Sequence, residues 1–215
     1  MRFDIEAVLF DIDGTLVDST RAVVRTWTTW AAKYGVDVEA VLRVCHGRRS
    51  EDTIAEFLPA HERAAAVRYL EELELDDLDD IVALPATRDV LGRLPSNRWA
   101  AVTSGSRRLM TARLNAAGLP VPAVLVAAED VAQGKPDPQG YLKAAGALGF
   151  DIRRCLVVED APAGLRAGRA AGAQVLGVGT SHPLAELRAS ADAVADDLSV
   201  CSVAVVPGGL IVDVS

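Results

Sequence analysis

The apolar residues of this chain gather into short runs at residues 7–10, 99–102, 124–127, 155–158 and 174–178. Each run stops at polar or glycine-bearing residues that cannot continue a buried strand, and the stretches between them have helical spacing and helix-favouring composition. The alternation predicts an α/β fold: a doubly wound, Rossmann-like parallel sheet covered by helices on both faces. Residues 19–82 break the pattern, being rich in Ala, Leu, Glu and Arg with no convincing strand. They are expected to form an α-helical insert, which leaves 1–18 and 83–215 as the core. Near the end, residues 202–206 and 210–214 flank Pro207-Gly208-Gly209, a pattern expected of a β-hairpin.

Composition narrows the function classes. The chain has 215 residues, 50% hydrophobic and 24% charged, with 17 Gly and 10 Pro and no repeat, as expected of an ordinary globular protein. Its net charge of −8 opposes attraction to nucleic-acid phosphates and anionic membrane surfaces, so neither is an expected partner. Much of that charge lies in residues 61–80, where eight acidic residues face two basic ones. A solvated helix face is the expected explanation. Met1 to Glu6 has no basic region followed by an apolar stretch, and no long apolar run occurs, so neither export nor membrane insertion is expected. Cys45, Cys155 and Cys201 are far apart and form no CxxC, which fits a reducing cytoplasm rather than a disulfide or zinc framework.

Ligands of open α/β sheets sit beyond the carboxyl ends of the strands, so the residues that follow each run carry the chemistry. After the first come Asp11 and Asp13, then Gly14 and Thr15. Alone, Asp-x-Asp-Gly-Thr could be an Asx-rich turn; a calcium loop is excluded because no EF-hand spacing continues. After the second comes Thr103-Ser104-Gly105-Ser106, hydroxyls and amides at a helix start that capping alone could explain. Lys135 stands between Gly134 and Pro136-Asp137-Pro138, in a stiff loop, although a lone lysine is usually surface. The fourth run ends at Glu159-Asp160, two carboxylates that repel unless a cation neutralises them. Four carboxylates without a histidine cluster point to Mg²⁺ rather than zinc. Gly164, Gly168 and Gly172 recur every four residues and are expected to let a helix approach the sheet. Gly177-Val178-Gly179 is too short for a dinucleotide fingerprint.

Taken together and in order, Asp11-x-Asp13-Gly-Thr, Thr103-Ser104-Gly105, Gly134-Lys135-Pro136 and Glu159-Asp160 resemble the haloacid dehalogenase-like hydrolases, across nearly the whole chain. The insert lies where members of that family with a helical cap carry theirs. A closer resemblance, to the glycerol-3-phosphatase and 2-deoxyglucose-6-phosphatase branch, rests on four segments. They are His46-Gly47-Arg48-Arg49-Ser50, residues 99–105, residues 130–136 and residues 158–164; the terminal hairpin is in keeping with it.

The resemblance implies a Mg²⁺-dependent phosphatase of small phosphomonoesters, such as polyol or sugar phosphates. Asp11 would be the nucleophile forming an aspartyl-phosphate, and Asp13 the general acid and base. Asp11, the Asp13 carbonyl and Asp160 would hold Mg²⁺, with Glu159 as a direct or indirect support. Ser104, the Gly105 N–H and Lys135 would bind the phosphoryl oxygens. His46, Arg48 and Arg49 of the cap would contact the rest of the substrate, Arg49 being preferred because the resembling motif has its arginine two residues after the glycine. A monomer or weak dimer is expected. The alternative on the same scaffold is a sugar-phosphate mutase; a dehalogenase is disfavoured by Asp13 and Glu159-Asp160.

Overall fold

The computed structural model describes residues 1–215. The chain begins with two strands, β1 (Arg2–Ile5) and β2 (Ala7–Phe10), followed by a short strand β3 (Val17–Asp18). Four helices come next: α1 (Thr20–Tyr34), α2 (Val38–Leu42), α3 (Ser50–Phe57) and α4 (Ala60–Asp76). After β4 (Val82–Ala83), strands and helices alternate: α5 (Thr87–Arg93), β5 (Trp99–Val102), α6 (Arg107–Ala116), β6 (Leu125–Val126), α7 (Gln139–Leu148), β7 (Cys155–Glu159) and α8 (Pro162–Ala171). The chain closes with β8 (Gln174–Val178), α9 (Leu184–Leu187), β9 (Ala193–Ala195), β10 (Cys201–Val206) and β11 (Gly209–Val214).

The main sheet has the order β6-β5-β2-β7-β8-β9, and every pairing in it is parallel. Numbered among themselves these strands run 3-2-1-4-5-6, so the order reverses at β2 and β7, and a crevice opens at their carboxyl ends. Alternate residues of each strand face opposite layers. Val8, Phe10, Ala101, Leu156 and Val158 join one core with Leu109, Met110 and Leu114 of α6. Ala7, Leu9, Ala100, Val102 and Val157 join the other with Tyr141 and Ala144 of α7 and Leu165 of α8. Burial on both sides explains why these runs read as continuously apolar.

Residues 20–76 have a core of their own around Trp27, Trp30, Val41, Ile54 and Leu70. Trp30 is wholly buried and its indole N–H donates to the Ala66 carbonyl at 3.0 Å. Truncating such a side chain to Ala costs about 3–5 kcal/mol. The antiparallel pair β3-β4 gathers the entry and exit of this insert. The expected hairpin is present as β10-β11, and β1, which the pattern did not reveal, joins it in a three-stranded antiparallel sheet. The expected strand at 124–127 is shorter, Leu125–Val126. No helix is long and apolar enough to cross a membrane.

Candidate active site

The crevice at β2 and β7 receives Asp11 from one strand end and Glu159-Asp160 from the other. One carboxylate oxygen from each of the three lies within 4.8 Å of the others, and all three residues are buried. Burial pushes the Asp11 carboxyl well above its usual range, with Lys135 opposing and Glu159 and Asp160 adding to the rise. Asp160 is pushed up to about 7, by burial first and the charge of Glu159 second. Its Oδ1 accepts from the Thr15 hydroxyl at 3.2 Å and its Oδ2 from the Ser181 hydroxyl. Gly14, at φ +83°, passes so close to Asp160 that a β-carbon would overlap the carboxylate. The glycine of the Asp-x-Asp-Gly-Thr motif thus lets the loop close over the cluster.

Lys135 enters the same cluster. Its ammonium donates to Asp11 Oδ1, to the Val102 carbonyl at 3.1 Å and to Glu159 Oε1 at 2.6 Å, which spends all three N–H bonds. Burial works against this charge, yet Asp11 and Glu159 outweigh it and hold the ammonium protonated. Glu159 is fully committed as well. Tyr141 also donates to Oε1, at 3.0 Å, and the Asp160 and Ala161 amides donate to Oε2 at 3.1 Å each. Asp11 keeps Oδ2 free of hydrogen bonds and lines a cavity of about 390 Å³ between core and insert.

Asp13, Ser104, Gly105, His46 and Arg48 line that cavity too. Ser104 Oγ donates to the Gly47 carbonyl of the insert at 3.0 Å, and the Gly105 N–H donates to Thr103 Oγ1 at 3.1 Å. The helix cap in this segment is Ser106, whose hydroxyl accepts from Leu109 N. His46 stands edge-on to His182, ring centroids 6.4 Å apart.

Two expectations change. Arg49 does not line the cavity: its guanidinium pairs with Asp52 at 2.9 Å and packs against Gly134, beside the lysine loop. Of the two adjacent arginines it is Arg48 that lines the cavity, paired with Glu56 at 2.7 Å. The reason is local, since Arg49 is the residue before α3 and turns back onto that helix's first turn, where Asp52 sits. The acidic stretch of α4 is also not all solvated: Glu74 is buried and lines the cavity with Glu71. Thr15 closes the Asp-x-Asp-Gly-Thr motif without an expected role, and Arg113, Tyr141 and Ser181 stand outside the motifs. Of these three only Arg113 carries a signal, a charge among Leu109, Met110 and Leu114 on the buried side of α6.

The sequence profile of the haloacid dehalogenase-like hydrolases matches residues 5–172. The chain belongs to this family. Among its members the chain is 44% identical over 175 residues to hexitol phosphatase A of Escherichia coli, covering 79% of this chain and 81% of that protein. It is 35% identical over 192 residues to glycerol-1-phosphate phosphohydrolase 2 of Saccharomyces cerevisiae, covering 84% and 77%. A solved hydrolase of Pseudomonas syringae superposes with a TM-score of 0.81 at 26% identity, covering 89% of this chain and 94% of that one. Within the haloacid dehalogenase-like hydrolases the chain therefore sits in the sugar-phosphatase branch, as its motifs implied.

Proposed function

We propose that this chain is a Mg²⁺-dependent phosphatase of small polyol or sugar monophosphates, working through an aspartyl-phosphate on Asp11. The observation that carries the reading is Asp11 itself: one oxygen held by Lys135, the other free and facing the cavity. Phosphate esters repel anionic nucleophiles, so the attacker must be positioned and its charge offset. Asp11 Oδ2 attacks phosphorus and the bond from phosphorus to the alcohol oxygen breaks. Asp13 gives its proton to the departing alkoxide. A water then attacks the aspartyl-phosphate, returns a proton to Asp13 and frees inorganic phosphate. Ser104 turns its hydroxyl from Gly47 to a phosphoryl oxygen in this scheme.

The donor set fits a hard divalent cation. Three buried carboxylates face one ammonium, no histidine or thiol is among them, and two of the carboxyls are pushed up by burial and by the charge of their carboxylate neighbours. Asp11, Asp160 and the Asp13 carbonyl would hold Mg²⁺, which when bound offsets the charge of nucleophile and phosphoryl group. Glu159 would serve it indirectly, its acceptor capacity being spent on Lys135, Tyr141 and two amides.

The rest of the cavity favours a neutral polyhydroxy alcohol. Glu51, Glu71, Glu74 and Glu129 line it, whereas its two arginines, Arg48 and Arg113, are already paired. Carboxylates accept hydrogen bonds from hydroxyls and repel a second phosphate. That disfavours a mutase, whose cycle passes through a bisphosphate. A volume of about 390 Å³ suits a three- to six-carbon chain. The relatives named for hexitol and glycerol 1-phosphate agree. All three cysteines are free, which fits the cytoplasm.

The test is a phosphomonoester panel assayed with Mg²⁺ and with EDTA, reading free phosphate and isomerised product together. Phosphate release that EDTA abolishes and Asp11→Asn eliminates is the expected result. Isomerisation outpacing release would favour the mutase.

A further inference from the structure

We propose that Arg113 is a positioning residue for Asp13, and that Glu74 of the insert in turn holds Arg113. The proposal rests on Asp13 being the acid and base. Arg113 is 3% exposed, on the face of α6 that otherwise buries Leu109, Met110 and Leu114. Packing alone does not call for a guanidinium there; an apolar side chain of similar volume avoids the desolvation cost. Its Nη1 lies 2.7 Å from Asp13 Oδ2 and its Nη2 lies 3.0 Å from Glu74 Oε1. Three elements far apart in sequence thus meet on one planar fork: the loop after β2, α6 of the core and α4 of the insert.

The geometry divides the labour of Asp13 between its two oxygens. Oδ2 is anchored by Arg113, while Oδ1 is buried with no partner in the protein. An acid that protonates an alkoxide and then deprotonates a water needs one such uncommitted oxygen, held in a fixed direction. The backbone of Asp13 is held by its bridge to Val17, but Arg113 makes the one side-chain bond that sets the direction of the carboxylate. Glu74 extends the arrangement to the insert. One turn earlier on the same helix Glu71 accepts from Ser106 Oγ at 2.5 Å, so α4 touches α6 at two polar points when the insert is docked. Docking over a substrate and the aim of Asp13 are thereby connected through one side chain.

A structural staple alone would lower activity on every ester alike. A positioning role is selective, because p-nitrophenolate leaves without a proton and an alkoxide does not. The experiment compares Arg113→Met, Arg113→Lys, Glu74→Gln and Asp13→Asn on glycerol 1-phosphate and on p-nitrophenyl phosphate. It reads kcat/KM for the first and the pre-steady-state burst of p-nitrophenolate for the second. Arg113→Met is expected to lose about 100-fold on glycerol 1-phosphate while its burst rate stays within about threefold of wild type. Arg113→Lys, a point donor too short for both carboxylates, should show the same selectivity at about tenfold, and Glu74→Gln a smaller selective loss. Should Arg113→Met not fold, the lysine variant decides. Equal losses on both esters in the arginine variants, with Asp13→Asn selective, would overturn the proposal and leave the acid/base assignment standing. If Asp13→Asn itself is not selective, the acid/base assignment is what fails.

Discussion

Glu159 Oε1 lies 2.6 Å from the Lys135 ammonium, and every other acceptor position of Glu159 is filled by Tyr141 or by a backbone amide. Asp160, one residue on, bonds only to hydroxyls and to its own turn. Adjacent carboxylates therefore have different duties: Glu159 places a lysine, and Asp160 is available to a cation. Asp160→Asn should raise the Mg²⁺ concentration needed for half activity by about 10–100-fold. Glu159→Gln should instead raise KM for phosphomonoesters, with a smaller change in Mg²⁺ requirement. Magnesium titrations of both variants at fixed substrate check this, and an equal Mg²⁺ defect in the two would put Glu159 on the metal.

Gly164 in α8 faces the same carboxylate, and a β-carbon there would overlap Glu159. Gly168 lies over Val157 in β7 in the same way, while Gly172 ends the helix. Gly164→Ala is the smallest change that pushes on the Lys135-Glu159 pair without altering a charge. It should cut kcat/KM at least as much as Glu159→Gln. Gly168→Ala, which presses on an apolar neighbour, should cost stability of about 1–3 kcal/mol and little activity. Thermal melts beside steady-state kinetics separate the two, and a Gly164→Ala enzyme of wild-type activity would contradict the packing.

The parts of the site that the sequence disclosed are those fixed by local chain geometry. Asp11, Ser104 and Glu159-Asp160 stand at or just beyond the end of an apolar run, so the end of the run locates them, whereas Lys135 is marked only by its Gly- and Pro-flanked loop. Partners brought together across the fold left almost no trace. Ser181 is an ordinary loop residue, and Thr15 only the end of a motif, until Asp160 is placed between their hydroxyls. Tyr141 reads as a helix-core aromatic, and only the sheet reveals Glu159 above its hydroxyl. Glu74 was hidden by the acidic residues around it, although Ala66, Leu70 and Glu74 repeat every four residues on the buried face of α4. β1 escaped notice because four alternating residues gain a partner only when β11 returns from the far end of the chain.

Arg48 and Arg49 give a direct test of side-chain direction. Arg48 reaches the cavity, and Arg49 lies on the Gly134 side of the insert. Arg48→Ala should lower kcat/KM for a hexitol phosphate by about tenfold, more than for p-nitrophenyl phosphate, whose leaving group asks little of the insert. Arg49→Ala touches the lysine loop and should act on all esters to a similar, smaller extent. Parallel kinetics on the two substrates decide it, and the reverse order of selectivity would return the recognition role to Arg49.

The raised carboxyls make stability depend on pH and on Mg²⁺ together. Asp160 goes from an ordinary value of 3.8 to about 7 in the folded chain, and Asp11 is shifted in the same direction. A carboxyl raised on folding binds its proton more tightly in the native state. Between about pH 4 and 7 the native protein therefore holds more protons than the unfolded chain, and stability falls as pH rises through that window. As pH rises past 7 Asp160 gives up its proton, and its charge then adds to the repulsion in the metal-free protein. Mg²⁺ opposes it, but at pH 5.5 the ion must first displace the Asp160 proton, so its affinity is lower there. In EDTA the contribution of these groups should make the protein less stable at pH 8 than at pH 5.5. Saturating Mg²⁺, at about 100 times its dissociation constant, should raise Tm at pH 8 by about 5–10 °C and much less at pH 5.5. Asp160→Asn should reduce both effects by the share that the Asp160 proton carries, leaving that of Asp11. Differential scanning fluorimetry across the two pH values, with and without Mg²⁺, is sufficient, and a Mg²⁺ shift of equal size at both would show that the cluster is already ionised at pH 5.5.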